Sequence, residues 1–442
     1  MKAFLALLIS CLLTACIHSQ WIFAGFVSGT GSNYPSVSVA DENVVWFSGG
    51  TGGVPALWRS TNNGGTITPV NPPPCFEITC LFAKSANECF VGDGGSTGAA
   101  GGNAKLFRTT NAGVNWTQVN QTGGNSGFFL DIVFSKVNPL DGVAFSHPPA
   151  GIGQAYYLLK TIDGGVNWTV ENPSGVTGSM GVWHCVIIYD ASAYGLGITG
   201  GFFPRVYGTT DAGASWATFP ILIAGNPLTS FAYSQVNTIA LASTSSVVAR
   251  TTDQGLTWQT VNSGGALCLR WIPASNTCYF MSSGIIKKSM DEGATWSSMT
   301  IAGGISGLKH FDFARTGITV YGFGIAADGS VIKLTEILTA INTGGENVPD
   351  RFKLYQNFPN PFNPSTSIKF DVPRQSQTKI IISDVLGRES AVLVNEQLAP
   401  GTYEVQWDAS HFSSGVYYYK LESVETTSNA IFTDSKRMVL IK

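Results

Sequence analysis

Short runs of apolar residues, alternating with polar ones and closed by turns, recur along most of the chain. Residues 78–82 (Ile-Thr-Cys-Leu-Phe) form one such run, a turn follows at residues 85–87, and residues 89–91 (Cys-Phe-Val) begin the next run. Runs of about four to eight residues bounded by Gly, Asn and Ser are typical of β-strands. The pattern predicts an all-β protein built from short hairpins.

One motif, Ser/Thr-x-Asp/Asn-x-Gly-x-x-Trp, interrupts these runs six times, with Ile67 replacing Trp in the first copy. Its Asp/Asn positions lie 38 to 52 residues apart and are Asn62, Asn111, Asp163, Asp211, Asp253 and Asp291. A period of about 40 to 50 residues with several short strands per unit is typical of propeller blades. Because an Asx side chain caps its own turn and the Gly tolerates positive φ, we assign all six Asp/Asn residues a structural role.

A seventh unit keeps three strand-like segments, at residues 308–313, 318–322 and 331–333, but lacks the motif. The apolar segment at residues 20–24 has no other partner, so we expect it to supply the missing outer strand and to close the ring. Closure leaves only short, protected edges. The prediction is a seven-bladed β-propeller over residues 20–345, with six or eight blades as the alternatives.

After residue 345 the pattern of the sequence changes. A proline-rich run at 358–364 (Phe-Pro-Asn-Pro-Phe-Asn-Pro) is followed by five strand-like segments. Alternating prolines cannot join a central strand. We therefore predict a linker at about 340–350 and a separate, small, immunoglobulin-like β-sandwich over residues 346–442.

Composition and charge exclude several classes of function. The net charge is −3 and charged residues make up 12% of the chain, so there is no basic field for nucleic acid. The amino terminus has a lysine and an apolar run that is typical of a signal peptide at residues 1–19, cleaved near Gln20. Cleavage before Cys16, as in a lipoprotein, is the alternative. No later segment reaches the length of a transmembrane helix, so the mature chain is predicted to be exported without one.

Six cysteines follow the signal segment and none forms a CxxC pair, so no metal and no cofactor are predicted. Export permits disulfides. Buried free thiols and one or two bridges remain equally open from the sequence.

The six motif copies resemble the Asp-box, or bacterial neuraminidase repeat, and the whole stretch is similar to propellers of the photosystem II assembly and stability factor type. The resemblance covers about three quarters of the chain. It implies that the Asp boxes lie away from the ligand face and are not catalytic.

The C-terminal motifs closely resemble the type A sorting domain of the type IX secretion system. They are the proline-rich opening, residues 384–388 (Asp-Val-Leu-Gly-Arg), residues 398–401 (Leu-Ala-Pro-Gly), residues 413–419 (Ser-Ser-Gly-Val-Tyr-Tyr-Tyr) and residues 436–440 (Lys-Arg-Met-Val-Leu). The resemblance implies export across the inner and outer membranes to the cell surface or medium. It also implies two partners, the secretion translocon and its sorting-domain peptidase.

Candidate ligand residues fall in two places. Aligning the first strand of each blade on its turn puts Ser36, Thr79, Asp131, His184, Thr229, Cys268 and His310 at one register, which alternation predicts to face the central channel. We take Asp131, His184 and His310, with Arg270 nearby, as candidate binding residues. The alternative is a channel lined by satisfied polar groups.

The second place is the set of loops that usually forms a propeller's binding face. The loops of blades two to four carry side chains suited to recognition, namely Asp93, His147, Phe202, Phe203 and Arg205. The alternative is that these Gly-rich loops are merely variable.

The sequence favours non-catalytic binding of a protein or glycan through this loop set. The alternative is a secreted, sialidase-like glycoside hydrolase using acids among Asp93, Asp131 and Asp312. Sialidase chemistry needs three convergent arginines, whereas Arg59, Arg108 and Arg250 all occupy the repeat position just before the motif.

Overall fold

The computed structural model describes residues 21–27, 34–51, 53–95, 102–124, 127–135, 138–150, 154–171, 180–188, 192–199, 205–221, 228–234, 239–272, 275–282, 284–301, 305, 307–316, 319–337, 341–342, 349–398, 400–409, 412–425, 428 and 430–442. Side chains at 51, 180–187, 198–199, 219–220, 337, 341–342, 396–397, 406 and 408 lie outside this description. Across the described ranges every regular element is a β-strand. These ranges accordingly include no helix long and apolar enough to cross a bilayer.

Seven antiparallel four-stranded sheets form the first part of the fold. Blade seven begins the chain with β1 (Ile22–Phe26). The next six blades are β2 (Ser36–Val39), β3 (Val45–Thr51), β4 (Val54–Ser60) and β5 (Thr68–Val70); β6 (Ile78–Ala83), β7 (Cys89–Asp93), β8 (Lys105–Thr109) and β9 (Thr117–Gln121); β10 (Phe129–Phe134), β11 (Gly142–Ser146), β12 (Tyr157–Thr161) and β13 (Thr169–Glu171); β14 (Met180–Ile188), β15 (Tyr194–Thr199), β16 (Arg205–Thr209) and β17 (Ala217–Pro220); β18 (Leu228–Tyr233), β19 (Ala240–Thr244), β20 (Val247–Thr251) and β21 (Gln259–Ser263); β22 (Cys268–Trp271), β23 (Cys278–Ser282), β24 (Ile285–Ser289) and β25 (Ser297–Met299). Blade seven is completed by β26 (Leu308–Thr316), β27 (Thr319–Ala326) and β28 (Ser330–Ile337).

The blades close into a ring. Each first strand contacts the first strands of the blades before and after it, and β26 contacts β2 across the closure. The described core divides into seven apolar clusters, one at each interface between neighbouring blades. The seven-bladed propeller predicted from the sequence is confirmed.

The amino-terminal strand closes the ring. β1 pairs antiparallel with β28, from Ile22 opposite Lys333 to Phe26 opposite Ser330. Trp21, just before β1, is fully buried and makes edge-to-face contacts with Tyr279 and Phe313 at 6.5 and 5.8 Å. This large aromatic side chain fixes the closing strand against blades six and seven.

The tryptophans that end the repeated motif join blades to one another. Trp116, Trp168, Trp216, Trp258 and Trp296 each pack into the apolar cluster shared with the preceding blade. Ile67 takes the same place in the first copy, at the interface between blades seven and one. The motif therefore holds neighbouring blades together as well as shaping its own turn.

The C-terminal part is a sandwich of two antiparallel sheets. One sheet has the order β29 (Ile341–Asn342), β34 (Gly401–Asp408), β31 (Ser365–Val372) and β30 (Lys353–Leu354), and the other has the order β33 (Glu389–Leu398), β32 (Ser376–Ser383), β35 (Gly415–Glu425) and β36 (Ile431–Leu440). Its core includes Ile368, Ile380, Trp407 and Leu421. Because β29 pairs with β34, the predicted linker at 340–350 begins with a residue pair that belongs to the sandwich sheet.

The proline-rich opening of the sandwich is held by a buried asparagine. Asn357 donates through Nδ2 to Thr366 Oγ1 at 2.9 Å and to Pro359 O at 3.1 Å, while its backbone N–H donates to Tyr419 Oη. Tyr419 in turn donates to Tyr355 O. The three prolines of the opening therefore lie on a fixed ribbon along the sandwich edge.

Five cysteines have described side chains, and all five are free thiols: Cys75, Cys80, Cys89, Cys268 and Cys278. Burial raises the pKa of Cys80, Cys89 and Cys278, which keeps them protonated. They behave as small core residues.

Candidate functional site

The two ends of the ring differ in what they carry. One end, here called the turn face, carries the Asp/Asn turns between third and fourth strands and the hairpins between first and second strands. The opposite end, the loop face, carries the loops between second and third strands and the crossovers between blades. Alternating strand direction in each antiparallel blade produces this division.

On the turn face every Asp/Asn side chain is used by its own turn. In the third copy Asp163 Oδ1 accepts hydrogen bonds from Thr161 Oγ1 at 2.8 Å and from the backbone N–H of Asn167 at 3.0 Å. Equivalent bonds occur at Asn62, Asn111, Asp211, Asp253 and Asp291. Hydrogen bonds from the residue four positions on contribute most to lowering the pKa of Asp163, Asp211 and Asp253 to about 2. These carboxylates cap turns and are engaged within the fold.

The glycine of the motif is required by backbone and by space. Gly165 has φ of +85°, and a Cβ there would lie 2.4 Å from the ring of Phe90 in the preceding blade. The residue before it also adopts positive φ, as in Gly164 at +77°. The N–H of Gly164 donates to Leu140 O, which ties the turn to the hairpin of the same blade.

The first-strand alignment made from the sequence is shifted by one residue in two blades. A β-bulge interrupts the pairing between Ile78 and Cys80 and again between Leu228 and Ser230. Thr79 and Thr229 are therefore bulge residues, whereas Asp131 and His310 follow the bulges of their own strands. The residues equivalent to Asp131 and His310 are Cys80 and Ser230.

Several polar side chains of the first strands form hydrogen bonds with neighbouring blades. Thr79 Oγ1 donates to Phe129 O at 2.6 Å, and Thr229 Oγ1 donates to Ala266 O at 2.6 Å. Ser38 Oγ and Ser230 Oγ accept from backbone N–H groups of Ala83 and Leu269. Blades stack face to face, so alternate positions of a first strand point toward adjacent blades. The prediction that this register faces the channel is wrong for Thr79 and Thr229.

His310 and Arg270 come together at the ring closure. His310 Nδ1 accepts from the N–H of Val37 at 3.0 Å, and its Nε2 lies 2.7 Å from Arg270 Nη2. Asp312 Oδ2 accepts from the N–H of Val39 at 2.8 Å. These side chains accept hydrogen bonds from backbone N–H groups on the edge of β2. A buried N–H group without an acceptor would destabilise the fold.

Asp131 is the channel candidate from blade three. It lies on β10 in blade three, is buried, and its Oδ1 accepts from the N–H of Ile132. His184 lies on β14, but its side chain is outside the described residues. Among the channel candidates, the structure brings Arg270 and His310 together.

The basic side chains preceding the motif end at the turn face. Arg59 Nη1 donates to Ala86 O in blade two, Arg250 Nε donates to Glu292 O in blade six, and Arg108 forms a 2.7 Å ion pair with Glu88. Each also belongs to a different blade. They bridge or stabilise hairpins and do not converge as a triad.

Two carboxyl groups meet on the loop face of blade two. Asp93, at the end of β7, is 4% exposed and its Oδ1 accepts from the N–H groups of Phe76 and Glu77 at 3.2 and 3.3 Å. Glu77, on the crossover into β6, is 8% exposed. Burial raises the pKa of both carboxyls, and the charge of Asp93 raises that of Glu77 further. We call this couple the acid pair.

An aromatic wall stands beside the acid pair. Tyr34 packs edge to face on Phe128 with ring centroids 5.5 Å apart, and Phe128 stacks on His147 at 5.4 Å and 25°. Gly94 allows this approach, since a Cβ there would lie 3.0 Å from the Phe128 ring. Tyr34 and His147 are half-buried, so they offer partly open rings at the mouth of blades one to three.

The other three loop candidates belong to blade four. Arg205 begins β16 and is exposed. Phe202 and Phe203 lie outside the described residues. Of the five loop residues predicted from the sequence, Asp93 and His147 are therefore brought to one place, with Arg205 on the next blade.

Sequence reasoning missed Tyr34, Glu77 and Phe128. All three lie in crossovers between blades, where there is no repeat to mark them. The available sequence signal for Glu77 was an acidic residue next to an aromatic one, directly before a strand. The described part of the chain holds no group of three or more His, Cys, Asp or Glu suited to a metal ion.

Residues 356–432 match the sequence model of a family described as the secretion system C-terminal sorting domain. The C-terminal sandwich is a sorting domain. Its Asn357 clamp and the capped turn at Asp384 both fall within the match, where Asp384 Oδ2 accepts from Arg388 Nε at 2.8 Å. The sorting domain marks the chain for export by the type IX secretion system to the cell surface or beyond.

Many solved structures are similar to the chain, and two of them show the range of proteins with this fold. "YCF48 bound to D1 peptide" is 16% identical with a TM-score of 0.52, covering 72% of this chain and 97% of that one. An ancestral GH74 enzyme is 13% identical with a TM-score of 0.52, covering 93% of this chain and 63% of that one. The likeness shows the propeller fold alone, since one neighbour is described by a bound peptide and the other as an enzyme. No curated protein matches the sequence.

Proposed function

We propose that this protein is an exported propeller that binds a protein or glycan without catalysis, through the loop face of blades one to four. In this proposal residues 1–19 are a signal peptide, residues 20–345 are an Asp-box propeller, and residues 346–442 are read by the type IX translocon and its peptidase. The mature propeller then acts at the cell surface or in the medium.

The distribution of chemistry between the two faces carries the proposal. The motif carboxylates and the bridging basic side chains of the turn face are used by turns and blade contacts. On the loop face, half-buried Tyr34 and His147, exposed Arg205 and the acid pair lie at or near the surface with recognition chemistry to offer. Loops held on a rigid scaffold are the usual place for binding residues.

A secreted glycoside hydrolase is the second candidate, and the acid pair is the observation that favours it. A carboxyl with a raised pKa beside a second carboxyl is the arrangement of a general acid. Among the acids predicted for this role, however, Asp93, Asp131 and Asp312 lie on three different blades and each accepts a backbone hydrogen bond. Binding is the better supported activity.

The experiment is an array of glycans and peptides probed with the full-length protein, scored for retention and for cleavage of every spot. Retention without cleavage supports the binding proposal. Cleavage that is lost in Asp93→Asn would make the protein a hydrolase. Asp328→Asn, at a turn between β27 and β28 in blade seven, is a matched control because its carboxylate caps only its own turn.

A further inference from the structure

The side chain of Glu77 makes the acid pair unusual. It is 8% exposed, and within the described part of the chain no donor bonds its carboxylate and no basic side chain forms an ion pair with it or with Asp93. Asp93 is compensated by backbone N–H groups and by the nearby positive charge of Lys105, whereas Glu77 has no such compensation. The carboxylate oxygens of Glu77 are not fully buried, although most of its side chain is. A carboxylate that reaches the surface without a donor from the protein is a place that a ligand can complete.

The surroundings limit the chemistry of that ligand. Tyr34 presents a half-buried ring beside Glu77, and the buried Phe128 ring supports Tyr34 from behind, packed against Gly94 next to Asp93. Carboxylates attract cations, and aromatic faces bind cations through their quadrupole. Hard metal ions require about six to eight oxygen ligands. A sugar hydroxyl would leave the charge on Glu77 uncompensated.

A guanidinium group suits this arrangement best. It is planar, donates two parallel hydrogen bonds to a carboxylate, and stacks on aromatic rings. An ammonium group would neutralise the negative charge but has no planar surface to stack on an aromatic ring. Exported proteins meet both groups on the surfaces of other proteins.

We propose that the acid pair and the aromatic wall form a pocket for a basic side chain, preferably arginine, of a polypeptide partner. This inference rests on the proposed function, because it names the ligand of the loop face. In this pocket Glu77 supplies the negative charge, Asp93 adds to that charge, and the ring of Tyr34, backed by the buried Phe128, is the stacking surface.

The test uses the full-length protein and a capped pentapeptide with a central arginine flanked by glycines. The same peptide with citrulline, which has the shape of arginine without its charge, is the matched probe. We expect saturable binding of the arginine peptide at or below ~1 mM and at least tenfold weaker binding of the citrulline peptide. Lysine should bind with intermediate strength.

Variants connect the binding to the pocket. Glu77→Gln should weaken the arginine peptide at least tenfold while leaving the citrulline peptide unchanged, and Asp93→Asn should weaken it less. Glu42→Gln, in a hairpin of the turn face, removes the same charge from the chain and should change nothing. Thermal unfolding of each variant shows whether it is folded.

Equal binding of arginine and citrulline peptides, no saturable binding of either, or full binding by Glu77→Gln would overturn the inference. These outcomes would leave the broader proposal standing if the array still showed retention of other spots. Cleavage on the array would instead remove the proposed function. The two failures are therefore distinguishable.

Discussion

His310 of blade seven accepts a hydrogen bond from the backbone N–H of Val37 in blade one, 3.0 Å away, across the point where the ring closes. The bond is buried and joins residues from opposite ends of the propeller sequence. Similar bonds at Thr79, Ser230 and Thr229 complete the first-strand edges of other blades. The centre of the ring is thus held in part by polar side chains, among them His310, which the sequence had suggested as a ligand-binding residue.

Replacing His310 should weaken ring closure. His310→Leu leaves the Val37 N–H buried without an acceptor, which costs about 1–3 kcal/mol of unfolding free energy. His310→Asn keeps an acceptor and should lose less. Urea unfolding of the two variants measures the difference, and equal stability of His310→Leu and the wild type would contradict this role.

The closing strand β1 and the adjoining Trp21 should contribute more to the stability of the ring than any single hydrogen bond at its closure. Trp21 is fully buried between blades six and seven, so Trp21→Ala should cost about 3–5 kcal/mol. Phe23→Ala, at an exposed position of β1, is the matched control and should cost little. Chemical denaturation followed by tryptophan fluorescence and far-UV circular dichroism gives both values. A smaller loss at Trp21 than at Phe23 would mean that the amino-terminal strand does not close the ring.

The turn carboxylates should make stability sensitive to acid. The folded-state pKa of Asp253 is lowered to about 2, below the ordinary value of about 3.9, so its contribution is present above pH 4 and is lost as the pH falls toward 2. Asp253→Asn keeps the Oδ1 acceptor, as Asn62 and Asn111 do in blades one and two. We expect it to be folded and to lose less stability between pH 4 and 2 than the wild type. Asp253→Ala should be the least stable at neutral pH, and thermal melts across this range test the order.

The acid pair should behave in the opposite way. The folded-state pKa of Glu77 is raised, so its ionised form lowers the free energy of unfolding at neutral pH, and that penalty disappears as the pH falls below about 4. Glu77→Gln should therefore raise the melting temperature at pH 7 and leave it nearly unchanged in acid. A lower melting temperature at pH 7 would show that Glu77 has a stabilising partner in the fold.

The repeat made the architecture predictable. Six copies of one turn set the number of blades, and the missing outer strand of the seventh unit identified the role of the segment that forms β1. The proline-rich opening and the later motifs were enough to predict the sorting domain. These features are local, so a sequence carries them directly.

The site was less predictable because its parts are not local. The bulges at Thr79 and Thr229 depend on the partner strand, and no alternation in the sequence shows where the extra residue falls. Tyr34, Glu77 and Phe128 come from three crossovers that only the ring brings together. Asp93 and His147 were found because they lie at the start of recognisable loops.

The most direct test of the binding account compares the two faces on the same glycan and peptide array. A loop-face variant carrying Tyr34→Ala and Arg205→Ala is set against a turn-face variant carrying Val114→Ser and Leu256→Ser, which changes two exposed apolar residues. The account predicts that the wild type retains spots without cleaving them, that the loop-face variant loses them, and that the turn-face variant keeps them. Cleavage by the wild type, or loss confined to the turn-face variant, would contradict it.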